Sequence, residues 1–385
     1  MTVMQGGDTM LGTILLAAGG TGGHLFPAEA LAHELGRRGL DVELVTDERA
    51  EPYRATFPAR EMHVVNSSSA TTRMSPVAFA GAMTRLGAGF VQSAGIIRRI
   101  KPAAVVGFGG YPTLPPVIAA RVLGRPAIVH EANAVLGRAN RLLSRFAKVA
   151  VAFPNAQGLA GGAGTPVHTG MPVRPNVLAA AETPYVAPAA DGTLRLLVFG
   201  GSQGARVFSE ILPSAMAMLP EALRRRLSVV QQCRQEDLEA VRAGYAETGV
   251  AAELAPFFSD LPERIAAAHL VIGRSGASTV AELGTIGRPA LLVPLPNALD
   301  QDQKANASAF AAAGGGWMVE QTDFTPERLA HEIETLAAAP QRLGEAANAA
   351  KAMAQPDAAA RLADFVAAVA GLAPAGGGNT EGTTP

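Results

Sequence analysis

Short apolar runs recur along the chain, each followed by a turn and then by a stretch with helical spacing. "GTILLA" reads as a strand, "AGGTGGH" as a turn, and "FPAEALAHELGRRG" as a helix with Pro27 near its first turn and Gly39 at its end. "DVELVT", "AAVVGFGG", "AIVHE" and "KVAVAF" continue the series of strands. Strands that are apolar throughout, instead of alternating, are buried on both faces. Their alternation with helices predicts parallel βαβ units and a doubly wound sheet, so the fold class is α/β.

The pattern then restarts. "LRLLVFGGSQGARVFSEIL" repeats the logic of "GTILLAAGGTGGHLFPAEA" at an offset of 181 residues, which lays Gly19, Gly20, Thr21 and Gly23 over Gly200, Gly201, Ser202 and Gly204. Two similar halves predict two Rossmann-like domains facing each other across a cleft. The first is expected over residues 11–174 and the second over 175–356, joined at "TGMPVRP". A helix within 357–371 is expected to cross back onto the first domain, and the tail 372–385 is disordered by composition.

With 385 residues, each domain is large enough to bury its own core. The single cysteine, Cys233, excludes a disulfide framework and fits a reducing cytosol. The opening "MTVMQGGDTM" does not read as a signal peptide. No stretch approaches the roughly 18 consecutive apolar residues of a transmembrane helix, so membrane contact is expected to be peripheral.

The net charge of −1 conceals a segregation. Between Met62 and Ala181 one carboxylate, Glu131, stands against twelve Lys or Arg, a net +11, whereas residues 182–385 carry −8. Such a block points to an anionic surface or substrate, against the blander reading of scattered, solvated arginines. A nucleic acid is not expected, because aromatic residues are few and no lysine-rich groove is visible. Within the block, Val77, Phe79, Met83, Leu86 and Phe90 lie among Arg73, Arg85, Arg98 and Arg99. Two readings fit: a helix that binds a membrane surface, or one packed on the sheet with snorkelling arginines.

Candidate chemistry gathers at the turns. "GGTGGH" approaches a dinucleotide fingerprint, but counting from Gly20 the third glycine is Leu25, so a redox cofactor is not expected. What survives is a glycine turn before a helix, where free N–H groups favour an anion. His24 stands at that helix entrance, where the dipole keeps the imidazole neutral and able to take a proton. Glu131 is its rival as a base, although its cationic surroundings suit it better to orienting a substrate. "GGSQGAR" (200–206) forms a second cradle, and "RSGASTVAEL" (274–283) a third helix start with Ser275, Ser278 and Thr279. Glu282 follows Ser278 by one turn, placed to accept both hydroxyls of a ribose. Asp302 and Gln303, in "DQDQKANA", offer hydrogen bonds to a sugar.

Taken together, "GGTGGHLFPA", "GFGGYPTLPP", "HEANAVLGRAN", "TGMPVRP", "FGGSQGA", "RSGASTVAE" and "DQDQKANA" resemble the motifs of the MurG family, in family order from about Gly12 to Leu372. The resemblance implies a two-domain GT-B glycosyltransferase, inverting and without a covalent enzyme intermediate. It would move N-acetylglucosamine from UDP-N-acetylglucosamine to undecaprenyl-diphospho-muramyl-pentapeptide, lipid I to lipid II, in peptidoglycan synthesis. It further implies a peripheral place on the cytoplasmic face of the inner membrane, with anionic lipids and cell-wall and division-complex proteins as partners.

By the same resemblance the donor would meet Thr21, Gly22, Gly23 and Asn133 of the first domain, and Arg174, Ser202, Phe258, Ala277, Ser278, Thr279, Glu282 and Gln303. His24, Tyr111 and Glu131 would face the acceptor, with His24 and Glu131 as the catalytic candidates. Phe79, Met83, Arg85 and Phe90 would form the membrane patch. No cofactor and no metal ligand are implied, stimulation by a divalent cation being left open. Many members carry histidine at the position of Asp302, so the resemblance assigns that residue no role. The alternative within the fold is a transferase using another nucleotide sugar and a soluble acceptor; outside that class stand a sugar epimerase and a dehydrogenase.

Overall fold

The computed structural model describes residues 12–68, 75–159, 164–201, 204–296 and 300–372. The first sheet holds β1 (Thr13–Ala17), β2 (Asp41–Thr46), β3 (Glu61–Val64), β4 (Ala104–Gly107), β5 (Ala127–Glu131), β6 (Lys148–Val151) and β7 (Val167–His168). Its order is β3-β2-β1-β4-β5-β6-β7, and every pairing is parallel. Helices α1 (Gly22–Arg37), α2 (Pro76–Ile100), α3 (Leu114–Val122) and α4 (Arg138–Leu143) cover it. Ile14 and Leu16 enter the core layer shared with α1, while Leu15 enters the opposite layer beneath α2 and α3. The uninterrupted apolar run of β1 is thus explained by burial on both faces.

The second domain opens with α5 (Pro175–Ala180) and repeats the plan with β8 (Leu194–Phe199), β9 (Leu227–Gln232), β10 (Ala251–Ala255), β11 (Leu270–Gly273), β12 (Ala290–Leu292) and β13 (Gly316–Met318). The order is β10-β9-β8-β11-β12-β13, again all parallel. Its helices are α6 (Arg206–Met218), α7 (Glu221–Arg224), α8 (Leu238–Thr248), α9 (Leu261–Ala267), α10 (Ala277–Ile286), α11 (Asp302–Ala312), α12 (Pro326–Ala337) and α13 (Pro340–Ala352). The last helix, α14 (Ala358–Ala370), buries Leu362, Ala363 and Val366 in the core of the first domain beside α1.

In both sheets the strand order reverses beside the first strand, between β1 and β4 and between β8 and β11. Loops leave such a switch point in opposite directions and open a crevice at the carboxyl ends of the strands. The glycine-rich turns therefore lie where a ligand would enter.

Two expectations need correction. Helix α1 begins at Gly22, so His24 lies inside its first turn instead of before it, and Pro27 falls within the helix. Proline there withholds the N–H that would pair with the Gly23 carbonyl, a loss tolerated near a helix start. Second, Phe90 is not part of an exposed patch. It packs against the core, because Gly89 lets α2 come close to the chain after β3, where an added Cβ would meet the Asn66 carbonyl oxygen. Phe79, Met83 and Arg85, by contrast, are exposed on the outer turns of α2. Arg73 and the tail from residue 373 lie outside the described residues.

Candidate active site

A cavity of about 780 Å³ lies between the domains, a size suited to a nucleotide sugar. From the first domain Thr21, Gly22 and Gly23 line it; from the second come the start of α10, the start of α6 and Gln303. The N-cap of α10 is Gly276, which has no side chain to satisfy the first N–H groups of the helix. Those groups face the cavity at the positive end of the helix and suit a diphosphate. Gly201 and Gly204, with φ of +84° and +68° that favour glycine, line the same space. Ser202 falls between them, outside the described residues.

Arg174 enters from the joint. Its guanidinium lies 3.7 Å over the ring of Phe26 and 3.4 Å from a carboxylate oxygen of Glu282. Burial holds the Glu282 carboxyl above its usual range, and Arg174 only partly opposes this. Among the described residues, Arg174 Nε, Ser278 Oγ and Arg234 Nε are buried without a hydrogen-bond partner, and all three residues line the cavity. Buried donors left unpaired are costly, so a ligand rich in acceptor oxygens fits here. Gln303 Oε1 accepts from the Leu295 N–H at 3.0 Å, which fixes the amide at the cavity wall. Phe258 is buried under Arg264 at 4.2 Å, beside the exposed Phe257. Thr279 stands with Ser278 at the cavity, whereas Ser275 turns away and donates to the Gln303 carbonyl at 2.7 Å.

His24 is held apart from this lining. Its Nδ1 donates to the Phe108 carbonyl at 2.9 Å, and its ring is clasped by Gly19, Gly109 and Gly110, where an added Cβ would approach to 3.2–3.3 Å. Gly109 and Gly110 have φ of +91° and +78°, so glycine meets both the steric and the backbone demand. Burial lowers the His24 pKa below its ordinary value; the Glu131 carboxylate and the Phe108 carbonyl oppose this, Arg49 adds to it, and Asp302 opposes it from the second domain.

Glu131 has no oxygen to spare. Oε1 accepts from the backbone N–H and side-chain amide of Asn133 at 2.9 and 3.0 Å; Oε2 accepts from the Gly137 N–H and the Asn140 amide at 3.0 and 2.9 Å. The carboxylate organises the loop after β5. Tyr111 opens the turn that follows Gly110 and packs half-buried against the core. Asn133 does not line the cavity; its amide is used between Glu131 and Asn306 of the second domain.

Sequence reasoning missed Arg274 and Asn306. Arg274 begins the quoted motif "RSGASTVAEL", donates to the carbonyls of Val293 and Pro294 at 3.0 Å, and reaches Gln321 at 2.6 Å. Its position directly after an apolar strand, before the helix start, was the available signal. Asn306 follows Gln303 by one helical turn inside "DQDQKANA".

Residues 14–152 match the glycosyltransferase family 28 N-terminal domain, and residues 195–362 the family 28 C-terminal domain. A protein of Methylobacterium sp. (strain 4-46) is 57% identical over 356 residues, 92% of this chain and 95% of that one, and one of Bradyrhizobium sp. (strain ORS 278) is 56% identical over 364 residues, 93% and 98% of the two chains. Both are named UDP-N-acetylglucosamine--N-acetylmuramyl-(pentapeptide) pyrophosphoryl-undecaprenol N-acetylglucosamine transferase. Among solved structures, MurG of Acinetobacter baumannii superposes with a TM-score of 0.72 at 33% identity, covering 92% of this chain and 98% of its own.

Proposed function

The chain belongs to the MurG family of family 28 glycosyltransferases, and from that premise we infer that it transfers N-acetylglucosamine from UDP-N-acetylglucosamine to undecaprenyl-diphospho-muramyl-pentapeptide, making lipid II from lipid I. The observation that carries the reading beyond the family name is the interdomain cavity, whose buried, unpartnered donors sit beside two helix starts.

The donor diphosphate faces the starts of α6 and α10, and Glu282 accepts from the ribose hydroxyls. Arg174 lies beside both. An acceptor hydroxyl then attacks the anomeric carbon from the first-domain side. As the new C–O bond forms, the bond to the diphosphate breaks, UDP leaves with the electron pair, and the hydroxyl proton passes to His24 Nε2. That nitrogen carries the lone pair because Nδ1–H is committed to Phe108. The charge developing on the leaving group is met by oriented N–H groups and Arg174, fixed before the reaction starts.

The lipid tail of the acceptor requires the first domain to work at a membrane surface. No described helix is long and apolar enough to cross a bilayer, and we read the outer turns of α2, with Val77, Phe79 and Met83 exposed near Arg85, as the contact with anionic lipid on the cytoplasmic face. The deciding experiment mixes the purified protein with labelled UDP-N-acetylglucosamine and a lipid-linked muramyl-pentapeptide. Transfer of label to the lipid supports the reading; transfer only to soluble acceptors, or only from other nucleotide sugars, overturns it.

A further inference from the structure

Asparagine is seldom buried completely, yet Asn306 on α11 is 0% exposed. Its carboxamide makes three hydrogen bonds. Nδ2 donates to Asn133 Oδ1 at 2.9 Å and to the Ser275 carbonyl at 3.1 Å, and Oδ1 accepts from the Ala134 N–H at 2.9 Å. Asn133 and Ala134 belong to the first domain, in the loop organised by Glu131. Ser275 belongs to the second and immediately precedes the Gly276 cap of α10. One neutral side chain therefore joins the loop beside the catalytic histidine to the segment that presents the donor helix.

The connection continues in both directions. On the second-domain side, Ser275 Oγ donates to the Gln303 carbonyl, tying α10 back to α11. On the first-domain side, Asn133 passes the contact to Glu131, which also holds Asn140. Asn140 and His24 pack on Gly109 together: a Cβ there would meet His24 Cε1 at 3.2 Å and Asn140 Nδ2 at 3.3 Å. A shift of the Glu131 loop thus moves the wall against which the His24 ring rests. At the rim, Arg138 meets Asp300 across the same seam at 3.2 Å, an exposed pair that adds little.

We propose that Asn306 is a positioning residue: with Asn133 as its receiver, it latches the two domains so that His24 faces the anomeric carbon of the donor. The proposal rests on the transferase reading. A carboxamide suits the task because it offers donors and an acceptor without a charge to desolvate. Aspartate would turn an oxygen toward the two acceptors that Nδ2 now satisfies, and alanine would leave the Asn133 oxygen, the Ser275 carbonyl and the Ala134 N–H unpaired at the seam.

The test uses the full chain as wild type, Asn306→Ala, Asn133→Ala and the double variant. Three quantities are measured: kcat for transfer, affinity for UDP by calorimetry, and the distance between fluorophores attached one to each domain, with UDP bound. Each single substitution is expected to lower kcat about 10- to 100-fold, the range for loss of a buried hydrogen-bonded partner. The double variant should be no worse than the poorer single one, because both break the same link. UDP affinity should change less than about threefold, while the interdomain distance widens in all three variants. Turnover within threefold of wild type in both single variants, multiplicative losses in the double, or an unchanged distance would each overturn the proposal. If Asn306→Ala fails to fold, Asn133→Ala decides alone, since its side chain is not part of the second-domain core. If wild type transfers nothing but the variants still widen, the latch stands and the reading of the reaction fails.

Discussion

Nδ1 of His24 faces a carbonyl oxygen, and a carbonyl only accepts, so the imidazole proton sits on Nδ1 and the lone pair on Nε2. Replacing His24 by alanine is expected to lower turnover about a hundredfold or more, with UDP affinity nearly unchanged because the ring is outside the donor cavity. The kcat/KM of wild type should rise with pH through a pKa below 6.5, the direction set by burial, and this limb should vanish in His24→Ala. Glu131→Gln separates the rivals. It turns an amide N–H₂ toward two N–H donors of the loop, so it should lower thermal stability together with turnover, whereas His24→Ala lowers turnover alone. Normal stability with abolished turnover in Glu131→Gln would make the carboxylate the base. Glu282→Ala should weaken UDP-N-acetylglucosamine binding by one to two decades, the loss of a charged hydrogen bond of about 1.5–3 kcal/mol; unchanged affinity by calorimetry removes it from the site. At this scale the sequence showed glycines and a histidine together, but not why. Gly109 and Gly110 lie 85 and 86 residues from His24, and only the parallel β1–β4 pairing brings them over its ring.

Helix α2 carries its information in two halves. Its inner turns bury Ala94 and Ile97 against the sheet, and Phe90 joins them; its outer turns leave Val77 83% and Met83 48% exposed. The packed reading left open by the sequence therefore holds for the inner turns, and the outer turns are the part proposed to meet a membrane. Apolar spacing alone did not divide them, because Phe79, Met83 and Phe90 are equally hydrophobic and only the close crossing at Gly89 decides which turns reach the sheet. The expected consequence is a split phenotype. Phe79→Ser with Met83→Ser should reduce binding to vesicles containing anionic lipid, in a manner that added salt also weakens, without lowering the melting temperature. Phe90→Ser should do the reverse, destabilising the domain by roughly 2–4 kcal/mol in the manner of a core truncation. Vesicle sedimentation and thermal melts of the two proteins decide it. If the double variant binds vesicles as wild type does, the outer turns of α2 are not the membrane contact.

Across the whole molecule the internal repeat made the two sheets legible, since apolar periodicity records burial within a domain. It carries no record of contacts between domains, which is why Asn306 and the crossings of the chain at the joint were not visible in it. There, Gly170 has φ of +82°, and a Cβ on it would stand 2.9 and 3.0 Å from those of Gln355 and Ala358, where the chain returns toward α14. The Gly170 carbonyl accepts from Nε2 of His130, a fully buried residue of β5 whose Nδ1 has no partner. Burial pushes the His130 pKa down to about 4, with the Gly170 carbonyl opposing. His269, beside β11 in the second domain, is also pushed down to about 4, by burial and by Arg195 and Arg288, and accepts from the Arg195 N–H through Nδ1. Each domain therefore folds around a neutral imidazole. Between about pH 6.5 and 4 the unfolded chain binds protons there that the native state refuses, so stability falls as pH falls through this window. For His130 the loss by pH 5 is roughly 2 kcal/mol, or a drop of about 4–8 °C in melting temperature. His130→Gln keeps an N–H for Gly170 and cannot titrate in this range. It should be less stable than wild type at pH 7.5, because the amide fills the site less well, yet its melting temperature should fall less steeply between pH 7 and 5. An acid slope equal to that of wild type would mean that His130 is already protonated, or that the joint opens before it is.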